Sequence, residues 1–266
     1  MQFLTTMPLW LAAVLLIGLP TAIAMLGPVV IRRFVQFDKL RTNNEVAGFK
    51  FATVGVIYAV LLAFAVLVVW EKFNEAETNV AREASAAATV FRLLNGLAAE
   101  DSGPMKQAMT AYLNAAVDKD WPAMEHGRAS ADVTRALNNV YTTLLDARSG
   151  EPVDPILLAE LLRQLDEVSA ARRSRLVAST GTVPPILWYV LFSGAVITLG
   201  FTFFFGTPNL RAQTLMTAAL SILIFSGLLT VISIDRPFAG SVKVHPEALE
   251  YVLRDIAGVA QPATTH

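Results

Sequence analysis

The stretch at residues 51–70, FATVGVIYAVLLAFAVLVVW, contains no Asp, Glu, Lys or Arg. A helix rising about 1.5 Å per residue needs roughly 20 apolar residues to cross a hydrocarbon core of about 30 Å. Windows of similar or greater length that also lack these four residue types occupy residues 1–31, 176–210 and 212–234. Together they predict four membrane-spanning helices, near 8–31, 51–70, 186–205 and 212–234.

The composition is typical of a chain that lies partly in the lipid bilayer. Charged residues make up 16% and hydrophobic residues 54% of the 266-residue chain, whereas a soluble domain is about one quarter charged. The net charge of −1 offers no basic surface for nucleic acid. The sequence has no cysteine, which excludes disulfides, thiolate catalysis and cysteine-ligated metals.

The first window raises the question of cleavage, because Ala22-Ile23-Ala24 resembles a signal-peptidase site. No basic residue precedes the apolar run, and the run continues for several residues beyond Ala24. We therefore expect a retained membrane helix.

The middle of the chain has a different character. Residues 71–183 hold 12 Lys and Arg, 16 Asp and Glu, and no long apolar run, so this segment is predicted to fold in water. Helix-breaking signals predict helices near 71–98, 103–118, 130–148 and 155–180. These signals are Asn95-Gly96, Ser102-Gly103-Pro104, Trp121-Pro122, Ser149-Gly150 and Pro152/Pro155.

The sequence therefore predicts an all-α, polytopic membrane protein with two transmembrane hairpins. The first hairpin occupies residues 1–70, and a soluble helical domain at 71–183 continues directly from the second span because no helix breaker lies between Phe51 and Asn95. The second hairpin occupies 184–234. A tail at 235–266 carries a short amphipathic helix that begins after Pro246.

Two stripes distinguish the second span. One is made of small residues that would let helices approach closely, and the other of bulky apolar residues. The small stripe is Gly55, Ala59 and Ala63, and the bulky stripe is Val56, Val60 and Phe64. Both stripes could pack against other helices or lipid. Alternatively, copies of this helix surround an axis, and the bulky residues form a hydrophobic constriction that gates by dewetting.

A further apolar seam follows in the soluble segment, with 4-3-4-3 spacing typical of a coiled coil. Its members are Val80, Ala84, Ala87, Phe91 and Leu94. The seam predicts either packing inside the domain's own helical bundle or self-association of the rod.

We find no pattern typical of a catalytic or metal site. The three histidines, His126, His245 and His266, have no second ligand at helical spacing. The chain has no glycine-rich phosphate loop, no nucleophile elbow and no dinucleotide fingerprint. The four spans also lack the ionisable groups that a charged transport relay needs. We predict no enzyme activity, no cofactor and no metal.

Several short motifs, taken in order, resemble the bestrophin-like family (domain-of-unknown-function 4239) over residues 43–245. The motif residues are Asn44, Glu45, Gly48, Trp70, Glu71, Glu83, Trp121, Arg172, Arg173, Trp188, Asp235, Arg236, Pro237, Phe238 and Gly240. They include Asp120-Trp121-Pro122, Arg172-Arg173-x-Arg175 and Asp235-Arg236-Pro237-Phe238.

The chain is more distantly similar to true bestrophins. That resemblance implies a pentameric anion channel with a cytosolic helical region, in which the second membrane helix lines a narrow apolar neck. It makes Val56, Val60 and Phe64 the neck candidates, and it implies the lipid bilayer, further copies of the chain and inorganic anions as partners. The acidic run that binds calcium in animal bestrophins has no counterpart after Asp235, so calcium gating is not implied.

Two questions stay open at this point. The chain could instead be a non-conducting membrane scaffold or signalling protein whose soluble domain binds partners. Arg32-Arg33 and the basic first loop favour that loop on the inside, whereas the bestrophin resemblance places the soluble domain in the cytoplasm. We expect a multi-pass protein of the cell or inner membrane with a cytoplasmic soluble domain.

Overall fold

The computed structural model describes residues 7–42, 44–146, 154–181 and 183–259. Over these residues the secondary structure is helical, and four helices are long and apolar enough to cross a membrane. The predicted all-α class and the four spans are confirmed. The predicted break at Ser149-Gly150 and Pro152, and His266, lie outside the described residues.

The helices follow one another in this order. They are α1 (Leu9–Ala13), α2 (Leu19–Phe34), α3 (Phe37–Thr42), α4 (Asn44–Leu93), α5 (Ala99–Ala115), α6 (Trp121–Met124), α7 (Ala131–Asp146), α8 (Pro155–Ala178), α9 (Pro185–Phe203), α10 (Leu210–Ile234) and α11 (Glu247–Val259). A π-helical turn, Val14–Gly18, joins α1 to α2, and a second one, Ala116–Asp120, joins α5 to α6.

The chain divides into two compact units. Unit 1 consists of Met1–Glu71, Thr182–Asp235 and Gly240–Val242, and it contains the four spans. Unit 2 consists of Lys72–Gly181, Arg236–Ala239 and Lys243–His266.

Glycines mark the close contacts inside unit 1. A Cβ atom at Gly194 would lie 2.5 Å from the ring of Tyr58, and one at Gly227 would lie 2.7 Å from Leu62. Because hydrocarbon gives helices no hydrophobic reason to associate, close packing at small residues is what stabilises such a bundle. Tyr58 and Leu62 therefore define the face of α4 that packs on α9 and α10.

Unit 2 has its own apolar core, built by the second half of α4 with α5, α7, α8 and α11. Its core side chains include Leu94, Met105, Met109, Leu161 and Leu165, all 0% exposed. The amphipathic helix predicted after Pro246 is α11, and its Leu249 and Val252 are buried.

The seam of unit 2 serves this core. Its five residues, Val80 to Leu94, are each at most 8% exposed within the single chain. The prediction that the seam packs inside the bundle is therefore correct, and self-association of the rod through this seam is wrong.

Helix boundaries differ from the prediction in three places. The helix of the second span begins at Asn44, before its apolar window, because apolar length measures the lipid crossing and not the helix. The expected break at Ser102-Gly103-Pro104 is absent, and α5 begins at Ala99, so Gly103 and Pro104 lie within the helix. At Pro122 the chain stays helical because the π-helical turn before it changes the hydrogen-bond register.

Candidate pore helix and buried charge cluster

The three neck candidates lie on the uncovered face of α4. Val56 is 63% exposed, Val60 47% and Phe64 61%, whereas Tyr58 on the opposite face is 4% exposed. At about 100° per residue, Val56 and Val60 lie roughly 160° around the helix from Tyr58, and Phe64 lies roughly 120° from it. The structure thus brings the bulky stripe together on one side of α4, where the described residues leave these three side chains largely exposed.

The small stripe occupies one flank of the same helix. No atom lies within 4 Å of the position that a Cβ would take at Gly55, and Ala59 and Ala63 are exposed. Among the described residues, the small stripe therefore has little packing. Their role in helix packing stays a prediction and concerns contacts with lipid or with a second copy.

The start of α4 is tied to the turn between α9 and α10. The side-chain amide of Asn44 donates to the carbonyl oxygen of Gly206 at 2.9 Å and accepts from the Gly206 N–H at 2.9 Å. Gly206 lies so close to the backbone of Arg41 that a Cβ there would be 2.5 Å from the Arg41 nitrogen. Asn44 therefore fixes the end of the candidate pore helix against the second hairpin.

Two neighbouring motif residues differ from Asn44 in their surroundings. Gly48 lies near the ring of Phe205, 3.9 Å from the position of a Cβ, and Phe205 also meets Phe51 edge to face. Glu45 is exposed.

Unit 2 contains a fully buried ion pair. Arg175 donates from Nε to Glu83 Oε2 at 2.8 Å and from Nη2 to Glu83 Oε1 at 3.0 Å, and both side chains are 0% exposed. The hydroxyl of Tyr112 donates to Glu83 Oε1 at 2.7 Å. Burial and the Glu83 carboxylate together hold the pKa of Tyr112 well above its usual range. Burial alone would lower the pKa of Arg175, but Glu83, Tyr112 and Asp120 together more than offset this effect and raise that pKa.

A second buried ion pair lies beside the first. Arg172 donates from Nε to Asp120 Oδ2 at 2.8 Å, and Asp120 Oδ1 also accepts the backbone N–H of Ser130 at 3.0 Å. Asp120 Oδ2 is 3.4 Å from Nη2 of Arg175, so the two pairs form one cluster of two arginines and two carboxylates. Since the charges balance and both carboxylates accept several hydrogen bonds, the cluster is a satisfied buried network in unit 2, and removing one partner would leave an uncompensated buried charge.

Trp121 connects this charge cluster to the chain that follows the fourth span. The guanidinium carbon of Arg175 lies 4.4 Å from the centroid of the Trp121 ring, a cation–π contact. The indole N–H donates to the carbonyl oxygen of Val244 at 3.1 Å, and the fully buried Phe238 meets the indole edge to face at 6.0 Å. The Pro237 carbonyl oxygen accepts the Val244 N–H at 2.7 Å, which closes the loop.

The other motif residues are dispersed. Trp188 is buried beside Phe192 in α9, and the carboxylate of Asp235 accepts the N–H of Val183 at 2.8 Å. Arg173 points to solvent and donates to Ser169. Trp70 is 54% exposed, and Glu71 is also exposed. Arg236 lies near Gly127, and Gly240 has a φ of 88°.

Sequence reasoning did not find the partners within the cluster. Asp120 and Arg175 stand in the quoted motifs but were not paired with anything, and Tyr112 belongs to no motif. A signal existed for Glu83: it falls among Val80, Ala84 and Ala87 on the buried face of α4, where a carboxylate needs a buried cation. Among the described residues no group of three or more His, Cys, Asp or Glu could hold a metal ion.

Known proteins share sequence features and the fold with this chain. A sequence profile of the bestrophin-like domain matches residues 18–249, most of the chain. The chain belongs to the bestrophin-like family. The family predicted from the motifs is thereby confirmed, and the four apolar helices make this bestrophin-like chain an integral membrane protein.

Solved structures share the fold at low sequence identity. A variant of a bacterial bestrophin homolog from Klebsiella pneumoniae matches with a TM-score of 0.74 and 15% identity, over 92% of this chain and 99% of the other. Another structure of a bacterial bestrophin homolog from Klebsiella pneumoniae gives 0.70 and 15%, over 91% and 98%. A structure described as a membrane protein gives 0.73 and 15%, over 90% and 97%. Among curated proteins no sequence match is found.

Proposed function

We propose that this bestrophin-like protein is a homo-oligomeric ion channel in which copies of α4 surround a central axis. The observation that carries the proposal is the exposure of α4. Only 11% of the residues in its most apolar stretch are buried by the single chain, against 44% for α10. A helix so little covered by its own chain has a whole face available for further copies.

The two stripes on that face have different proposed roles. The flank with Gly55, Ala59 and Ala63 lets the backbone of a neighbouring copy come close, as small residues do at membrane helix interfaces. The bulky stripe of Val56, Val60 and Phe64 would then point toward the axis. The resemblance to bestrophins implies five copies around that axis.

A constriction of this kind controls ion flow by hydration. Rings of valine and phenylalanine give a narrow path no hydrogen-bonding partners, so water leaves it readily and ions cannot cross without their hydration shells. Widening the ring restores water and conduction. A neutral apolar ring does not by itself distinguish anions from cations; inorganic anions are the permeant ions that the resemblance implies.

The test combines mass and current. Multi-angle light scattering in detergent should give five copies of the 28.8 kDa chain, and planar bilayers should show single-channel currents. Val60→Ala and Phe64→Ala should each increase the open probability or conductance. The matched control is Leu223→Ala, since Leu223 on α10 is 71% exposed but lies outside the proposed pore face.

The same experiment distinguishes the channel from the alternative function. A monomer or dimer without current would favour a non-conducting scaffold or signalling protein, in which the independent core of unit 2 supports a partner-binding surface. Currents that Val60→Ala and Phe64→Ala leave identical to those of the unmodified protein would refute the constriction.

For the orientation we propose that the soluble domain is cytoplasmic, as the bestrophin resemblance implies. With four spans, both termini lie on the same side as the soluble domain. A C-terminal green fluorescent protein fusion should then fluoresce, and a C-terminal alkaline phosphatase fusion should be inactive. The opposite pair of results would reverse the orientation.

A further inference from the structure

Unit 2 contains a cavity whose wall is formed by the last turns of α4, by α5 and by α11. Its volume is about 370 Å³. Small-molecule sites in proteins have volumes of roughly 300–1,000 Å³, so this cavity is at the lower end of that range. All of its lining residues belong to unit 2. The cavity therefore has the size of a site for a small molecule.

The floor of the cavity is apolar. Ala88 and Phe91 of α4 line it together with Val252 and Ile256 of α11, and Phe91 and Val252 are buried. Within each helix the two residues are three or four positions apart, so they lie on one helix face. An occupant gains free energy by moving an apolar group out of water onto this floor.

Three charged side chains surround that floor. Arg92 and Lys106 are positive, and Asp255 is negative. Among the described residues none of the three forms an ion pair, so opposite charges line one cavity without neutralising each other. The Lys106 ammonium donates a hydrogen bond to the side-chain oxygen of Asn95 at 2.8 Å, and Asn95 also lines the cavity. The cavity thus offers an apolar floor, two cations and one anion to the same occupant.

From this arrangement we infer that the cavity binds an α-amino acid with an apolar side chain. Arg92 and Lys106 donate charge-assisted hydrogen bonds to the carboxylate, and Asp255 accepts one from the α-ammonium group. The side chain lies on the apolar floor. A carboxylic acid without the ammonium group leaves Asp255 beside a like charge, and an amine without the carboxylate meets two positive side chains.

The experiment is isothermal titration calorimetry of the full chain in detergent, with L-phenylalanine and L-leucine as probes. At least one of them should bind saturably, with one molecule per chain. For phenylalanine the matched analogues are 3-phenylpropanoate, which lacks the ammonium group, and 2-phenylethylamine, which lacks the carboxylate; for leucine they are 4-methylpentanoate and 3-methylbutylamine. Each analogue should bind about tenfold more weakly, since it loses a hydrogen bond to a charged group.

Substitutions around the cavity assign each contact. Arg92→Gln and Lys106→Gln should each weaken binding of the amino acid about tenfold. Asp255→Asn should weaken it about as much and should remove the preference over the analogue without the ammonium group. Ala88→Phe places a ring in the cavity and should abolish binding, and a cooperative thermal transition of this variant shows that it folds.

The matched control is Arg82→Gln. Arg82 is exposed on α4 but does not line the cavity, so the same loss of charge should leave the affinity unchanged.

Three outcomes overturn the inference. The first is no saturable heat with either amino acid, and the second is equal affinity for the amino acid and both of its analogues, because the apolar floor alone would then bind them. The third is a loss in Arg82→Gln as large as that in Arg92→Gln, because net charge and not the cavity would then be responsible. None of them affects the proposed channel, since binding is measured without a current.

Discussion

Replacing Glu83 by glutamine should destabilise unit 2 strongly. The carboxylate is fully buried, and it accepts two hydrogen bonds from Arg175 and one from Tyr112. Glu83→Gln keeps the shape of the side chain and removes the charge, so the cluster of two arginines and two carboxylates is left with one positive charge in excess.

The expected magnitude follows from this geometry. Breaking a buried ion pair by removing one partner costs about 3–5 kcal/mol, because the other charge stays buried without compensation. Asp120 Oδ2, 3.4 Å from Nη2 of Arg175, retains part of that compensation and places the cost near the lower end. At roughly 2–4 °C per kcal/mol for a chain of this size, a loss of about 3 kcal/mol lowers the Tm by about 6–12 °C.

The assay is thermal unfolding in detergent, followed by tryptophan fluorescence, with Trp121 as a reporter beside the cluster. Glu160→Gln is the control, since Glu160 makes an exposed pair with Arg163 and its replacement should leave the Tm unchanged. The double variant Glu83→Gln, Arg175→Met restores neutrality and should recover most of the lost stability. A Tm within about 2 °C of the unmodified protein for Glu83→Gln would refute the reasoning.

Three further predictions address other parts of the molecule. Asn44→Ala removes both hydrogen bonds to Gly206 and should lower the free energy of unfolding by about 2 kcal/mol in the same assay; an unchanged Tm would show that the turn needs no such support. Phe238→Ala leaves a cavity beside Trp121 and should cost about 3–5 kcal/mol, with a shifted tryptophan emission; unchanged emission would contradict the contact. Burial and Asp166 raise the pKa of Tyr141 to about 12, so the folded chain keeps a proton that the unfolded chain loses near pH 10. Stability should therefore fall as the pH rises from about 10 to 12, and less so in Tyr141→Phe; identical alkaline unfolding curves would refute this.

The sequence was sufficient for the spans because their physical signal is local. A stretch such as residues 51–70 is free of charge over the length of a bilayer crossing, and no other environment is as favourable to it. The continuous helix from the second span into unit 2 could be predicted for a similar reason, since nothing between Phe51 and Leu93 breaks a helix.

Local sequence patterns did not predict the features that depend on contacts between distant parts of the chain. Gly103 and Pro104 suggested a break, yet they lie in α5, whose buried face at Met105 and Met109 holds that part of the chain in the core. The two hydrogen bonds between Asn44 and Gly206 join residues 162 positions apart along the chain, and no local pattern predicts them.

In the candidate site, too, local features could be predicted from the sequence and long-range contacts could not. The bulky apolar stripe could be recognised because Val56, Val60 and Phe64 recur at helical spacing, and the structure adds that these side chains are exposed; that they line a pore stays a prediction. The partners of the charge cluster could not, because Glu83 and Arg175 are 92 positions apart, and a single sequence does not show which of its charges are buried together.

The proposed channel places the uncovered face of α4 along the ion path, and single-cysteine accessibility during channel activity tests this placement most directly. The chain contains no cysteine, so Val60→Cys and Phe64→Cys each introduce a unique thiol. A charged, water-soluble thiol reagent should change the bilayer current of both variants, and it should have no effect on Leu223→Cys. Currents that stay constant at Val60 and Phe64, or that change as much at Leu223, would contradict a pore along this face.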